Sequence, residues 1–152
     1  MVRIYGVTGS SGGSGGGGGG NAPGVQLSGI TQSDSSIYLT TDGFGIENLS
    51  NIVSIPANST ALIKMQIIAK TEASPAKTAS WDLTGVIKKD SSSSSIQIVG
   101  MSPVSVMSDP EMVHTQIRLS ENLVLGGLSI QCTGISNYTV IKWAATITLT
   151  EV

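Results

Sequence analysis

The chain has 152 residues, room for one domain of ordinary size, with 8 basic side chains against 10 acidic ones. Its charges are scattered singly apart from Lys88-Lys89, which excludes the clustered basic surface that a nucleic-acid partner needs. No stretch approaches the ~18 consecutive apolar residues of a membrane-spanning helix, so no membrane partner is expected.

Aromatics are few: two Trp, three Tyr and one Phe. Ser, Thr, Gly, Ile and Val dominate instead. β-Branched residues suit a pleated sheet, whereas Ser, Thr and Gly weaken helices. An all-β fold follows.

Residues 1–24 read as a glycine-rich arm. Val2-Arg3-Ile4-Tyr5-Gly6-Val7 has the pattern of a short strand, with Val2, Ile4 and Gly6 on one side. Ser10 to Ser14 then lead into Gly15-Gly16-Gly17-Gly18-Gly19-Gly20. A lone strand on a glycine tether cannot fold by itself, but it can add to the edge of another subunit's sheet. The arm is therefore expected to serve assembly, the plain alternative being an ordinary tail. There is no apolar segment behind a positive start, so no signal peptide is expected and synthesis in a host cytoplasm follows.

Residues 25–152 alternate strand and turn. Short strands are expected at 26–30, 37–40 and 51–55, punctuated by Gln32 to Ser36, by Asp42-Gly43-Phe44-Gly45 and by Pro56 to Ser59. Ala61, Ile63, Met65, Ile67 and Ala69 then alternate with Leu62, Lys64, Gln66 and Ile68, a half-buried strand. Trp81, Leu83 and Ile87 continue the pattern. Asp90 to Ser95 reads as a polar hairpin loop, with a return strand at 96–99 and another at Val104 and Val106. Val113, Thr115, Ile117 and Leu119 form the next alternating set, and Glu121-Asn122 is expected to turn the chain. Strands carrying Leu128, Ile130 and Cys132, and then Thr139 to Leu149, close the domain. That makes about seven strands from residue 60 on with no helical crossover, so the sheets are antiparallel. Two packed sheets with jelly-roll or Greek-key connections bury this many one-sided strands.

No catalytic, metal or cofactor set is visible. His114 is the single histidine and falls on the polar phase of its segment. Lone Cys132 is in phase with Leu128 and Ile130, as a small buried hydrophobe would be. No Gly-x-Ser-x-Gly elbow occurs, and the glycine tract lacks the Lys and the following helix of a phosphate loop. Asp109 and Glu111 flank Pro110 and read as turn residues. Trp81 and Trp143 are in phase with apolar neighbours and are expected to anchor the core, although exposed tryptophans could stack on sugar.

The segments Ile55-Pro56-Ala57-Asn58-Ser59-Thr60, Ala79-Ser80-Trp81-Asp82-Leu83-Thr84-Gly85 and Ile141-Lys142-Trp143-Ala144-Ala145 carry a resemblance. Over residues 55–152 the chain is similar to a β-sandwich domain recurrent in bacteriophage tail and fibre proteins. The resemblance implies a non-enzymatic structural protein on the outer surface of the virion, commonly a homotrimer, with no catalytic residues to carry over. Two roles fit. The first is a capsid decoration or cement protein whose arm ties neighbouring capsid subunits together, with the major capsid protein as partner. The alternative is a short tail fibre or baseplate component, with tail proteins as partners and a host surface glycan as ligand. Tyr38, Tyr138 and His114 are the candidates for sugar contact.

Overall fold

The computed structural model describes residues 24–152, all of it strand, turn and two short 3-10 turns. The expected assembly arm, with Val2, Ile4, Tyr5 and Gly15 to Gly20, lies outside the described residues.

Strands β1 (Val25–Gln32), β4 (Ser59–Thr71), β5 (Thr78–Lys89), β6 (Gln97–Ser108) and β9 (Val140–Glu151) make one sheet, in the order β1-β9-β4-β5-β6. A second sheet is built on β8 (Gly127–Thr133). Along one side of it lie β2 (Ser36–Tyr38) and β3 (Val53–Ser54), and along the other runs β7 (Gln116–Asn122). Every pairing is antiparallel.

The alternation of the sequence explains the layers. In β4, Ala61, Ile63, Met65, Ile67 and Ala69 are buried while Lys64, Gln66 and Ile68 face outward. The same phase in β9 buries Ile141, Trp143, Ala145, Ile147 and Leu149. These side chains meet Leu39, Val53, Leu128, Ile130 and Cys132 from the second sheet in one apolar cluster. Within it Trp81 and Trp143 stack, ring centroids 5.7 Å apart and 22° from parallel. The indole Nε1–H of Trp143 donates to Thr31 Oγ1 at 2.9 Å, so the ring is buried with its polar atom satisfied. Gly85 lets β6 lie close: a Cβ there would collide with the Gly100 carbonyl oxygen.

Three elements differ from the sequence reading. The strands expected at 96–99 and at Val104–Val106 are one strand, β6. It stays continuous across Pro103 because two register shifts leave Val99 and Val104 without partners on β5, absorbing the irregularity as bulges. Second, Val113 is not in a strand. The chain makes a 3-10 turn at Pro110–Met112, and Thr115 Oγ1 donates back to the Met112 carbonyl at 2.6 Å, so β7 starts only at Gln116. Third, Glu121-Asn122 belongs to β7, and the turn comes after it at 123–126. There Asn122 Oδ1 accepts from the Leu125 N–H at 3.0 Å and Gly126 takes φ +68°. From residue 60 on the domain thus has six strands rather than seven.

Candidate assembly surfaces

The loops at 33–35, 72–77, 109–115 and 134–139 gather at one end of the two sheets, and this end is polar. His114 sits there in a shallow depression of about 330 Å³ with Asp34, Glu111, Ser136 and Asn137. Tyr138 lines a neighbouring depression with Glu72 and Asn137. The two depressions thus take in His114 and Tyr138 but not Tyr38, which sits on β2 opposite Gln131. Glu111 is committed to Lys77 at 2.9 Å, and that contact lowers its carboxyl below the usual range. Asp109 clamps its loop to β5: its Oδ2 accepts from the Thr78 N–H at 2.7 Å. Trp81 and Trp143 are 9% and 2% exposed and offer no open ring face to sugar. Burial pushes the Cys132 thiol well above its ordinary pKa. Among the described residues no group of three or more His, Cys, Asp or Glu is placed to hold a metal.

A second feature emerges only in the fold. Between β2 and β3 the chain makes a loop, 41–51, that exposes three large apolar side chains: Phe44 at 80%, Ile46 at 76% and Leu49 at 70%. Such a loop ordinarily buries its apolar residues or lacks them. Here a hydrogen-bond network fixes its shape. Asp42 Oδ1 accepts from Thr40 Oγ1 at 2.7 Å and from the Phe44 N–H at 3.1 Å. Buried Asn51 donates through Nδ2 to Asp42 Oδ2 at 2.9 Å and to the Ile46 carbonyl at 2.8 Å, and its Oδ1 accepts from the Asn48 N–H at 2.7 Å. Gly43 and Gly45 both take φ +75°, which this tight path requires. Glu47 Oε2 accepts from Asn122 and Ser129, tying the loop to the β7–β8 turn. That turn exposes Leu123 and Val124. Loop and turn together expose five large apolar side chains, an apolar corner whose turn lies at the end away from His114. Its signal in the sequence was three large hydrophobes inside an Asp/Asn/Gly-rich stretch without strand alternation.

The network makes the corner acid-sensitive. The bonds from Asn51, then Thr40 and the Phe44 N–H, hold the Asp42 carboxyl below its ordinary value of 3.8. A carboxylate whose folded pKa is depressed contributes its full stabilisation above the unfolded value, and loses it as pH falls through the folded value. The protection factor of the Phe44 amide, taken relative to intrinsic exchange at each pH, is therefore expected to fall below about pH 4 while the β4 and β9 amides stay protected. Equal protection of Phe44 at pH 3 and pH 6 would sink this assignment.

The third surface is the outer face of the five-stranded sheet. Rows of side chains cross it at right angles to the strands: Thr146, Gln66 and Asp82 in one row, Thr148, Lys64 and Thr84 in the next. They floor a shallow groove of about 330 Å³ that ends on Val104. β6 is the edge strand here, and Val104 and Met107 are 69% and 64% exposed.

No protein-family model matches the chain, and no curated protein does. Among solved structures, the chain is similar to the tailspike protein of Acinetobacter baumannii phage AM24, with 11% identity and a TM-score of 0.40 over 79% of this chain. It is also similar to the tailspike protein of Acinetobacter phage vB_ApiP_P1, with 14% identity and a TM-score of 0.40 over 93% of this chain. In each case the match spans 26% of the tailspike's length.

Proposed function

We propose that this chain is a non-enzymatic structural component of a bacteriophage tail, seated on the particle by its apolar corner with the polar end turned outward. The observation that carries the reading is the loop 41–51, a hydrogen-bonded scaffold that holds Phe44, Ile46 and Leu49 in water. Large apolar side chains held rigidly in water cost solubility unless a partner covers them, and rigidity lowers the entropy lost on docking. The resemblance of residues 55–152 to tail and fibre domains supports the tail as the place, and a homotrimer as the form. The polar end, with His114, Tyr138 and Asn137, is the part left to meet a host glycan. The glycine arm of the sequence favours a second reading, a capsid decoration protein whose arm runs between capsid subunits.

One experiment separates these readings. Gold-labelled antibody on purified particles is expected to mark the tail, and the paired substitution Ile46→Lys and Leu49→Lys is expected to abolish incorporation while the free protein stays folded. Label spread over the capsid would replace the tail reading with the decoration one. Full incorporation of the doubly substituted chain would remove the apolar corner from the account.

A further inference from the structure

The two flanks of the sandwich differ. On the β1 side the sheets are joined: the Ser28 N–H donates to the Thr40 carbonyl at 2.9 Å, and the Thr40 N–H donates back to the Ser28 carbonyl at 3.1 Å. On the β6 side, Glu121 Oε1 of β7 accepts from the Ile98 N–H at 2.9 Å, which ties the two edges together near the start of β6. Further along, the seam opens. Val106 lies opposite Trp81, on the phase that faces the core, yet it is 55% exposed. Val99, Val104 and Met107 are also more than half exposed, and Ile98, Met101, Ile117 and Leu119 are only partly buried against the core.

We propose that this open flank is where a second copy of the chain packs, β6 against β6 around a symmetry axis. The inference stands apart from the seating on the particle and names the contact surface of a homo-oligomer.

Charge supports it. From Gln97 to Ser108 β6 has no charged residue, whereas the inner strands of the same sheet carry Lys64, Lys70, Asp82, Lys88 and Lys142. A sheet edge that must stay alone is ordinarily where Lys is kept, to repel other chains. Here the distribution is reversed. At a symmetry axis each side chain faces its own copies, so any charge there meets a like charge. An uncharged edge suits that axis, and it offers a charged foreign partner nothing to pair with.

Size supports it as well. The 12 residues of β6 run for about 40 Å, and two layers about 10 Å apart with their outer side chains make the flank about 20 Å high. That footprint, about 800 Å² per copy, is what a stable interface of standard size needs. Pro103 has no N–H to give, and the bulges at Val99 and Val104 break the edge, so side chains rather than a continuous ladder make the contact. With the β1 flank joined through Thr40, head-to-tail growth into an open-ended sheet is blocked and the assembly closes on itself.

Sedimentation of the full chain at micromolar concentrations tests this. The mass is expected to be a small whole-number multiple of the 15.6 kDa chain. Val104→Lys with Met107→Lys is expected to raise the dissociation constant by on the order of a hundredfold or more, with the near-UV signal of the stacked Trp81 and Trp143 unchanged. Should the double variant unfold, Val99→Lys at the first bulge repeats the test. The corner variant, Ile46→Lys with Leu49→Lys, is expected to associate as the unsubstituted chain does, which keeps this result separate from the seating of the corner. A monomer throughout the concentration range overturns the proposal. So does association that survives the β6 substitutions, or that is lost in the corner variant instead.

Discussion

Replacing Trp143 by alanine is expected to destabilise the domain by about 3–5 kcal/mol, measured by urea unfolding of the full chain. The indole is almost wholly buried, and three losses coincide on its removal. Its apolar area returns to water or leaves a cavity, the 5.7 Å stack with Trp81 vanishes, and Thr31 Oγ1 loses its donor. A single domain has in all about 5–15 kcal/mol of stability, so this substitution takes a large part of it. Trp143→Phe keeps a ring in the core but still strips Thr31 of its donor, and a cost of about 1–3 kcal/mol is expected. If the two variants were equally destabilised, packing would not be what the ring contributes.

Asn51→Ala is expected to cost about 2–3 kcal/mol and to weaken attachment to the particle together with stability. Asn51 is buried at 2% exposure, and its side chain holds Asp42, Ile46 and Asn48 at once. Losing it leaves a carbonyl, an amide and one carboxylate oxygen without that partner, and frees the segment that carries Phe44 and Leu49. Asn51→Asp is the more telling change. It keeps an acceptor for the Asn48 N–H but loses both donated bonds and sets a second carboxylate beside Asp42. It is therefore expected to be at least as damaging as alanine at pH 7, and to recover in part in acid as the two carboxyls protonate. An Asn51→Asp protein more stable than Asn51→Ala at pH 7 would mean that the donor side of the amide does not organise the loop.

Much of the fold was legible because β4 and β9 alternate without interruption over twelve residues or more, and each buries one face. Antiparallel pairing followed from short connections alone. What failed did so where alternation and structure part company. β6 looked like two strands because Gly100 and Pro103 break its pattern, and a bulge is invisible without its partner strand. Val113 looked like a strand residue because its phase matches Thr115, Ile117 and Leu119 across a turn that only the Thr115 hydroxyl reveals. The candidate sites were less legible. Sequence pointed to sugar contacts from three residues that the fold does not bring into one depression, Tyr38 lining neither that of His114 nor that of Tyr138. The apolar corner escaped because it joins segments far apart in the chain, Glu47 meeting Ser129 across 82 residues.

The place of β9 between β1 and β4 bears on how the protein is made. β1 is synthesised early, yet its sheet neighbour is the last strand of the sheet to appear, and Thr31 waits for an indole 112 residues later. At ribosomal rates of about 5–20 residues per second, the early strand stays without its partner for several seconds. The five-stranded sheet therefore assembles only after β9 has left the ribosome. Its long-range pairings make that step slow, and they leave the apolar side of β1 open to capture by chaperones in the meantime.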